Sequence, residues 1–571
     1  MFSNIGNVNI LTSLLVAHDV RHAVVCPGSR NAPIVHNLQA CGKMTCYPVT
    51  DERSAGFFAQ GIALATESPV VICVTSGSAL LNLAPAVAEA YYQHVELIVV
   101  SADRPGAWIG QLDGQTLPQP GVFGSLVNKS VNLPLNTEDT TSHWLCNRLV
   151  NEALLAGHIP CGGPVHINIP IAEPLFDFSA AELPVERMIH RHVERGHGCD
   201  RIVAERLLEA KRPMIVLGQC RRRRSAFDRQ RFQKAVIALR TRGVVLAERL
   251  CQLPVPVVHA DEALAAIGDD PDFSPDLVVY LGDTVVSKRL RFFLRRAEEA
   301  KVVMVNLDGE IHDVTMHADE VVEVGALEDV FYAVADLIED EQLAKLPQDE
   351  TSRKYRTGWK TVLEKVDQVI EAYEPSFSQM AAVRYFEQQM EDMETDFHVH
   401  YANSTAIRLA NSYAQHPVFC NRGVNGIDGS LSETAGFSAA VDDLVFCVTG
   451  DLSFFYDQNA LWNSNLKGNL RIILLNNGKG GIFGLLPGLE QSEASRLLVS
   501  GAHHTSAQGI CGQNDIGYLK ASDMQEMQMG IVTLVTRQSH RPMLLEVFTD
   551  AETDAAVMRD YLRFIKDKIK E

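Results

Sequence analysis

Short runs of Val, Ile and Leu recur along the chain, separated by stretches long enough to form a helix. The early runs are HAVVC at 22 to 26, VVICVT at 70 to 75, ELIVVSA at 96 to 102 and PVHINI at 164 to 169. Strands that are apolar throughout are buried on both faces, which is typical of parallel sheets covered by helices. The pattern therefore predicts an α/β domain that ends near residue 185.

Two further series of such runs follow. MIVLG at 214, GVVLAE at 243, LVVYLG at 277 and KVVMVNLDG at 301 form the second, which ends near residue 345. HVHYA at 398, PVFCN at 417, LVFCVTG at 444, LRIILLNN at 470, IVTLVT at 531 and MLLEVF at 543 form the third. We predict three consecutive doubly wound parallel-sheet domains over 1–185, 186–345 and 376–571, with a helical connector over 346–375.

The charge balance argues against a nucleic-acid partner. The chain carries 51 Lys and Arg against 71 Asp and Glu, whereas nucleic-acid-binding domains are usually basic. No apolar run approaches the roughly 18 residues that span a bilayer, and residues 1–20 are expected to form an amphipathic helix, not a signal peptide. The cysteines form no C-x-x-C pair, and several lie in apolar runs. These features predict a cytoplasmic protein with reduced thiols and no membrane insertion.

The third series contains the most informative motifs. Gly450-Asp451-Leu452-Ser453 follows one apolar run, and Asn477, which lies 26 positions beyond Asp451, follows the next. In a right-handed strand–helix–strand unit both motifs emerge at the carboxyl ends of parallel strands, where open α/β sheets bind ligands. Each motif alone is also typical of an ordinary turn, so the prediction depends on their joint spacing. We expect Asp451 and Asn477 to meet at one point.

Oxygen atoms of this kind suit a hard divalent cation. A carboxylate, an amide oxygen and a loop carbonyl match Mg²⁺, which completes its octahedral shell with phosphate oxygens and water. The pair therefore predicts an anchor for a metal-bound diphosphate.

The same motifs resemble the diphosphate-binding signature of thiamine-diphosphate enzymes, with Leu452 in place of the usual third glycine. That family has a pyrimidine-binding, a central and a diphosphate-binding domain, which is the order of the three strand series. The resemblance implies that thiamine diphosphate is bound by Gly450, Asp451, Leu452, Ser453 and Asn477. It also implies Mg²⁺ or Mn²⁺ held by Asp451, Asn477 and the main-chain carbonyl of Lys479.

Two more cofactor contacts follow from the resemblance. The family needs a carboxylate from the pyrimidine-binding domain against N1′ of the aminopyrimidine, and Glu52 in TDERSA at 50 to 55 matches that element. An acid at this place is otherwise explained by the dipole of the helix that follows. The family also has a bulky apolar residue beneath the cofactor, which Ile427, next to Gly426, matches by position. Plain packing is the alternative for Ile427.

Basic residues beside the predicted strand ends indicate substrates with several carboxylates, because guanidinium groups on rigid elements bind carboxylates in bidentate fashion. They are Arg30, Arg104, Lys288, Arg289, Arg408 and Arg422. Within the family, CPGSRNAP, SADRP, NRGVNGIDG and NNGKGGIFGLLP resemble segments of carboligases of menaquinone biosynthesis. Those transferases decarboxylate 2-oxoglutarate and add its succinyl semialdehyde unit to isochorismate. The resemblance implies the same activity.

The resemblance also assigns the substrate contacts. Arg408 and Arg422, with Ser404, would hold the succinyl carboxylate of 2-oxoglutarate. Isochorismate would be received by Arg30, Arg104, Lys288, Arg289 and Gln115. An apolar wall against its ring would be formed by Ile482, Phe483 and Leu486.

The resemblance implies at least a homodimer, because the pyrimidine and diphosphate domains of one subunit do not clamp the same cofactor in this family. Pairing of dimers into a homotetramer stays open. Another thiamine-diphosphate 2-oxoacid decarboxylase or an acetolactate-type synthase is the alternative among enzymes. A non-catalytic paralogue is the alternative outside them, and the joint presence of Glu52, Asp451 and Asn477 argues against it.

Two other features are expected to be structural. The run Arg221–Arg224 is typical of a solvated helix start, with an anion or effector site as the alternative. His398 and His400 share one strand face, and His503 and His504 lie in a loop, without cysteine or carboxylate partners at ligand spacing. We therefore do not expect these histidines to bind a metal.

Overall fold

The computed structural model of the chain describes residues 1–158, 161–192, 198–220, 227–339, 349–485 and 488–571. Its framework consists of three sheets in which every strand pair is parallel. Helices connect the strands, so the predicted fold class is confirmed. Within the described ranges, no helix combines the length and the apolar content needed to cross a bilayer.

The first sheet contains β1 (His22–Val25), β2 (Thr45–Pro48), β3 (Val70–Val74), β4 (Leu97–Asp103), β5 (Lys129–Asn132) and β6 (Val165–Pro170). Its strand order is β2-β1-β3-β4-β6-β5. Its helices are α1 (Gly6–Ala17), α2 (Ala32–Ala40), α3 (Glu52–Thr66), α4 (Ser78–Leu81), α5 (Ala84–Tyr92) and α6 (Thr140–His158). The loops that carry Arg30, Glu52 and Arg104 all leave the carboxyl edge of this sheet.

The second sheet contains β7 (Pro213–Leu217), β8 (Val244–Ala247), β9 (Leu277–Leu281), β10 (Lys301–Asn306) and β11 (Glu320–Glu323), in the order β11-β10-β9-β7-β8. Its helices are α7 (Cys199–Glu209), α8 (Arg229–Arg242), α9 (Ala260–Ile267), α10 (Lys288–Arg296) and α11 (Glu328–Glu339). Helix α12 (Glu350–Ala372) lies within the predicted connector and buries Trp359. The domain bounds themselves stay predictions, and the predicted boundary at residue 345 lies outside the described residues.

The third sheet contains β12 (Phe397–Tyr401), β13 (Leu444–Gly450), β14 (Leu470–Asn476), β15 (Gly517–Ala521) and β16 (Met543–Phe548), in the order β12-β13-β14-β16-β15. Its helices are α13 (Gln379–Glu391), α14 (Thr405–Tyr413), α15 (Ser430–Ala440), α16 (Asp451–Tyr456), α17 (Gln508–Gln513), α18 (Met524–Thr536) and α19 (Ala551–Lys570). The loops after β12, β13 and β14 leave one edge side by side.

Two of the predicted strands are wrong. IVTLVT at 531 lies inside α18, because Asp523 caps the helix by accepting the N–H of Glu526, and the buried residues fall at helical spacing on Met527, Gly530, Ile531 and Leu534. PVFCN at 417 forms only an isolated bridge between Phe419 and His400, next to Pro417. In both segments the prediction relied on β-branched or apolar composition, whereas the structure follows the capping and spacing of the residues.

The first and third domains share one core through the crossing of α3 and α15. A Cβ on Gly61 would lie 1.9 Å from the carbonyl oxygen of Glu433, and one on Gly436 would lie 2.0 Å from that of Phe58. The backbones of α3 and α15 are therefore in direct contact at these two glycines. Beside the crossing, Gln60 donates to the buried Glu433 carboxylate at 2.6 Å. The start of α3, which carries Glu52, is thus held by the third domain.

Candidate functional site

The carboxyl edge of the third sheet brings Asp451 and Asn477 together. Strands β13 and β14 are parallel neighbours, with Gly450 in register with Leu475. The Asp451 Oδ2 atom accepts the N–H groups of Asn477 at 3.2 Å and of Gly478 at 2.8 Å. Gly478 has a φ of +75°, so the turn after β14 favours glycine at this position. The two motifs therefore meet at one point, as their spacing predicts.

The Asp451 carboxylate is buried and polarised by its surroundings. Only 3% of the residue is exposed, and its pKa is raised because burial disfavours the charged form. The same Oδ2 atom lies 3.4 Å from Nε2 of His503. A cation bound at this oxygen would offset the cost of burying the negative charge.

The Asn477 side chain is oriented by a second carboxylate. Its Nδ2 donates to Oδ2 of Asp554 at 2.9 Å, so its oxygen points to the opposite side. That oxygen receives the N–H of Lys479 in a long contact of 3.4 Å. A Cβ on Gly450 would meet no heavy atom of the described residues within 4 Å. The edge between these residues therefore has space for a ligand.

The loop between α14 and α15 is tied to this edge through two carbonyl groups. Ser453 donates its hydroxyl to the carbonyl of Ile427 at 2.6 Å. The Asn403 side chain donates to the carbonyl of Gly426 at 2.8 Å. The main chain of Ile427 is therefore held in place, while the residue is 41% exposed.

Leu452 and the segment after Asn477 provide apolar surface beside the edge. A Cβ on Gly480 would lie 2.7 Å from the Phe483 ring and 3.4 Å from Cδ1 of Leu452. Ile482 and Phe483 lie in a short 3₁₀ segment and are half-buried. Leu486, the third member of the predicted wall, lies outside the described residues, as does the run Arg221–Arg224.

The amino end of α14 faces the same edge. Ser404 precedes the helix with a φ of +76°, a conformation that is strained for a residue with a side chain. The next residue, Thr405, has its hydroxyl 3.6 Å from where a Cβ on Gly481 would lie. Arg408 follows on the first turn of this helix. The amino end of α14 therefore approaches the segment after Asn477 through Thr405 and Gly481.

Arg408 and Arg422 form a pair of arginines with unused hydrogen-bonding capacity. Among the described residues, the buried Nε atom of each has no hydrogen-bond partner. Burial lowers the pKa of Arg408, and the nearby positive charge of Arg422 lowers it further. Arg422 is only 6% exposed and donates from Nη1 to Asn403 at 3.1 Å. Such a pair is suited to binding a carboxylate.

The central domain contributes charged residues on the far side of this pair. Lys288 and Arg289 are exposed at the start of α10, and Arg289 forms an ion pair with Asp261. Glu248 accepts the N–H groups of Val286 and of Ser287, and burial raises its pKa to about 7. Burial lowers the pKa of both Arg408 and Arg422, and the nearby Glu248 carboxylate partly opposes that lowering.

The remaining predicted residues lie on the carboxyl edge of the first sheet. Arg30 is buried and donates to the Ile171 carbonyl at 3.1 Å. Arg104 forms a 2.9 Å ion pair with Asp113. Glu52, the first residue of α3, is half-buried and accepts from the Asn82 side chain at 3.3 Å.

Gln115 is exposed, with a φ of +56°. The buried glutamine of this loop is instead Gln119, which accepts the N–H of Gly77 at 2.8 Å and donates to Asn168 at 2.8 Å. The burial of Gln119 gives it a structural part in holding the loop, whereas Gln115 is open to a ligand.

Within one chain, the predicted residues thus form two groups. One comprises Arg30, Glu52 and Arg104, and the other lies around Asp451 and Arg408. The contacts that join α3 to α16 run through neighbours of Glu52: Asn459 donates to Asp51 at 2.7 Å, and Arg53 donates to the Tyr456 carbonyl at 2.7 Å. The hydrogen bond described for Glu52 itself stays within the first domain.

The histidines that were not expected to bind a metal have other partners. His398 lies 3.2 Å from Asp443, and His400 stacks on Phe419 with 4.7 Å between ring centroids. Burial lowers the pKa of His400 to about 3. These contacts fit structural roles for the two strand histidines.

Sequence reasoning missed Glu89 and Arg291. Glu89, in α5, accepts the N–H groups of Gly423 and Val424 at 2.7 Å each, so the first domain holds the loop that follows Arg422. Arg291 lies in α10, and its positive charge adds to the effect of burial in lowering the pKa of both Arg408 and Arg422. The basic segment from Lys288 to Arg291 could have pointed to Arg291. Glu89 could not have been found in this way, because its helix carries no recognisable motif.

Glu89→Gln should change how stability depends on pH. Burial raises the pKa of Glu89 from an ordinary 4.5 to about 7, so between these values the folded chain keeps a proton that the unfolded chain releases. Stability from this group is full below pH 4.5 and is lost as the pH rises through 7. The free energy of unfolding, measured with urea, is compared between wild type and variant at each pH. The difference between the two proteins should change by about 3 kcal/mol between pH 4.5 and pH 7. A difference that is constant with pH contradicts the assignment.

Comparison with known proteins gives matches over the whole chain. Residues 8–122 match the family model "thiamine pyrophosphate enzyme, N-terminal TPP binding domain". A 2-succinyl-5-enolpyruvyl-6-hydroxy-3-cyclohexene-1-carboxylate synthase of Bacteroides thetaiotaomicron is 42% identical, over 100% of both chains. The synthase of the same name from Phocaeicola vulgatus is 41% identical over 100% of both chains. That of Porphyromonas gingivalis is 32% identical, over 99% of this chain and 98% of the relative.

Proposed function

Because the chain belongs to the family of thiamine-diphosphate-dependent 2-succinyl-5-enolpyruvyl-6-hydroxy-3-cyclohexene-1-carboxylate synthases, we propose that its candidate site carries out that family's reaction in menaquinone biosynthesis. The enzyme is a transferase that decarboxylates 2-oxoglutarate and adds the succinyl semialdehyde unit to isochorismate, with release of CO₂. The observation that carries the site assignment is the pair of buried Nε atoms of Arg408 and Arg422, which have no hydrogen-bond partner among the described residues.

The residues at the third sheet edge fit thiamine diphosphate and a divalent metal. Gly450 leaves open space where a side chain would stand, and the Asp451 carboxylate is buried. Asp451, Asn477 and the Lys479 carbonyl would hold Mg²⁺ or Mn²⁺, since all three offer hard oxygen atoms. Gly450, Leu452 and Ser453 would contact the diphosphate, and Gly426 and Ile427 the rings. When bound, the thiazolium supplies an electron sink for the charge left by decarboxylation.

The chain's own residues bind and orient the substrates. Arg408 and Arg422, with Ser404, hold the distal carboxylate of 2-oxoglutarate, since their unpaired Nε atoms and lowered pKa values favour an anionic partner. Glu52 holds a proton between its carboxyl oxygen and N1′ of the aminopyrimidine. The arginine pair would also help to exclude water from the reacting carbon.

Isochorismate is received by the exposed basic residues and Gln115. Lys288 and Arg289 are exposed at the start of α10, and Arg104 is partly exposed, so all three can contact a dicarboxylate. Arg30 would join them by exchanging its contact with the exposed Glu173 for a substrate carboxylate. Ile482, Phe483 and Leu486 would form the apolar wall against the isochorismate ring.

A homodimer with shared sites is supported by exposed apolar residues of the first and third domains. Tyr92, Val424 and Ile427 are 50%, 51% and 41% exposed and lie around the loop that Glu89 holds. Apolar residues exposed together in this way are typical of a protein interface. We place the first-domain group of one subunit against the third-domain group of its partner, with a homotetramer as a further pairing of dimers. The cytoplasm is the compartment we propose.

The assay that tests the function measures consumption of 2-oxoglutarate with and without isochorismate, in the presence of thiamine diphosphate and Mg²⁺. We expect sustained turnover only with both substrates. Pyruvate in place of 2-oxoglutarate is the comparison. Turnover with pyruvate alone would instead indicate an acetolactate-type synthase.

Alanine substitutions should separate the two halves of the reaction. Arg408→Ala and Arg422→Ala should slow the first half-reaction with 2-oxoglutarate alone, whereas Arg30→Ala and Arg104→Ala should leave it near normal and block transfer to isochorismate. Each lost charge-assisted contact should cost about 1.5 to 3 kcal/mol, or roughly 10- to 150-fold. Stopped-flow spectroscopy with 2-oxoglutarate, followed by an isochorismate chase, measures both phases. If Arg30→Ala blocked the first phase, the two pockets would be reversed.

A further inference from the structure

A second cluster of metal-ligating side chains lies between the first and second domains. His94 precedes β4 and Cys161 precedes β6, so both stand at the amino edge of the first sheet. Asp308 follows β10, at the carboxyl edge of the second sheet. None of the three is among the residues assigned to the synthase reaction. Arg30, Glu52 and Arg104 lie at the opposite, carboxyl edge of the first sheet, whereas Lys288 and Arg289 follow β9 on the same edge of the second sheet as Asp308.

The donor atoms of the cluster converge. The Cys161 Sγ atom lies 3.1 Å from Nδ1 of His94. One ligand atom from each of His94, Cys161 and Asp308 lies within 4.8 Å of the others. Tetrahedral donors at ligand distances of about 2.0 to 2.3 Å stand roughly 3.3 to 3.8 Å apart, so the widest pair of this cluster would have to close by up to about 1.5 Å when a metal binds.

Outer partners orient two of the three donors. The other ring nitrogen of His94, Nε2, lies 3.7 Å from Oδ1 of Asp283. The Oδ2 atom of Asp308 lies 3.4 Å from Nε2 of His312. A carboxylate behind a histidine is the arrangement that fixes the ring of a metal ligand and raises its basicity. This arrangement is a second observation that points to a metal.

The surroundings of the cluster are known in part. His94 has a φ of +54°, a backbone conformation that is uncommon for a residue with a side chain. The ion pairs described for Asp283 and Asp308 are both made with histidines.

The donor set selects the type of metal. One imidazole, one thiolate and one carboxylate suit Zn²⁺, whereas Mg²⁺ avoids thiolates. We propose that His94, Cys161 and Asp308 bind a zinc ion that joins the first domain to the second, with water as the fourth ligand. Binding requires the Cys161 thiol to release its proton to the solvent.

Cobalt spectroscopy tests the proposal without using activity as the readout. Chelator-treated enzyme is loaded with thiamine diphosphate and Mg²⁺, and Co²⁺ is then added. We expect a thiolate-to-cobalt charge-transfer band and strong d–d absorption in the wild type, both abolished by excess Zn²⁺. Cobalt at the oxygen ligands of Asp451 gives no thiolate band, so the two sites are distinguishable.

The matched variants are Cys161→Ala and Cys199→Ala, since Cys199 is an exposed cysteine of α7 outside the cluster. We expect the band to be lost in the first and kept in the second. Asp283→Asn should weaken cobalt binding about 10- to 100-fold through the loss of the outer partner. Cys161→Ser serves as the conservative alternative if the alanine variant folds poorly. A wild type without the band, or a Cys161 variant that keeps it, overturns the proposal.

Discussion

Glu52→Gln should reduce turnover about 10²- to 10⁴-fold while thiamine diphosphate still binds with near wild-type affinity. The amide of a glutamine can donate a hydrogen bond to N1′ but, being uncharged, cannot stabilise the protonated form of N1′. Steady-state kinetics gives the loss, and calorimetry gives the cofactor affinity. Glu67→Gln is the matched control, because it removes one negative charge at the exposed far end of α3. Near wild-type turnover in Glu52→Gln would refute the proton-transfer role.

Asp451→Ala should abolish metal-dependent binding of thiamine diphosphate. The substitution removes an anionic ligand from the sheet edge, so the loss should exceed the roughly 10- to 100-fold cost of deleting an outer partner of a metal. Calorimetry in saturating Mg²⁺ measures the affinity. Because the carboxylate also accepts backbone N–H groups, Asp451→Asn keeps one acceptor and separates ligand loss from misfolding. Asp442→Ala, on an exposed loop, is the control.

Mixing these two variants addresses the shared site. If the cofactor lies between the first domain of one subunit and the third domain of its partner, a hybrid of Glu52→Gln and Asp451→Ala chains has one intact site. We expect the mixture to recover activity that neither parent has. A mixture that stays inactive after confirmed subunit exchange would argue for sites built within one chain.

The buried strands were predictable, whereas the edge strands β2, β5, β11 and β15 were not. Strands such as β4 and β14 are buried along their whole length, so their apolar runs stand out in the sequence. Strands β2 and β11 are short and partly exposed at the ends of their sheets, and they leave no comparable run. An edge strand is joined to its sheet by backbone hydrogen bonds, which a pattern of apolar residues does not reveal.

The site was predictable where it depends on one strand–helix–strand unit. Asp451 and Asn477 meet because neighbouring parallel strands end together, and this follows from their spacing. Contacts between domains could not be predicted in this way. The hold of Glu89 on Gly423, or the approach of Asp308 to His94 and Cys161, depends on how separate sheets pack. Their partners are far apart in the sequence and carry no shared motif.

The glycine crossing of α3 and α15 limits how far this chain can be treated as modular. Each helix leaves room for the other only where Gly61 and Gly436 lack a side chain, so the two surfaces must change together. A chimera that takes its first domain from one relative and its third from another would inherit a mismatched crossing. Recombination between relatives is therefore expected to succeed when both helices come from the same parent.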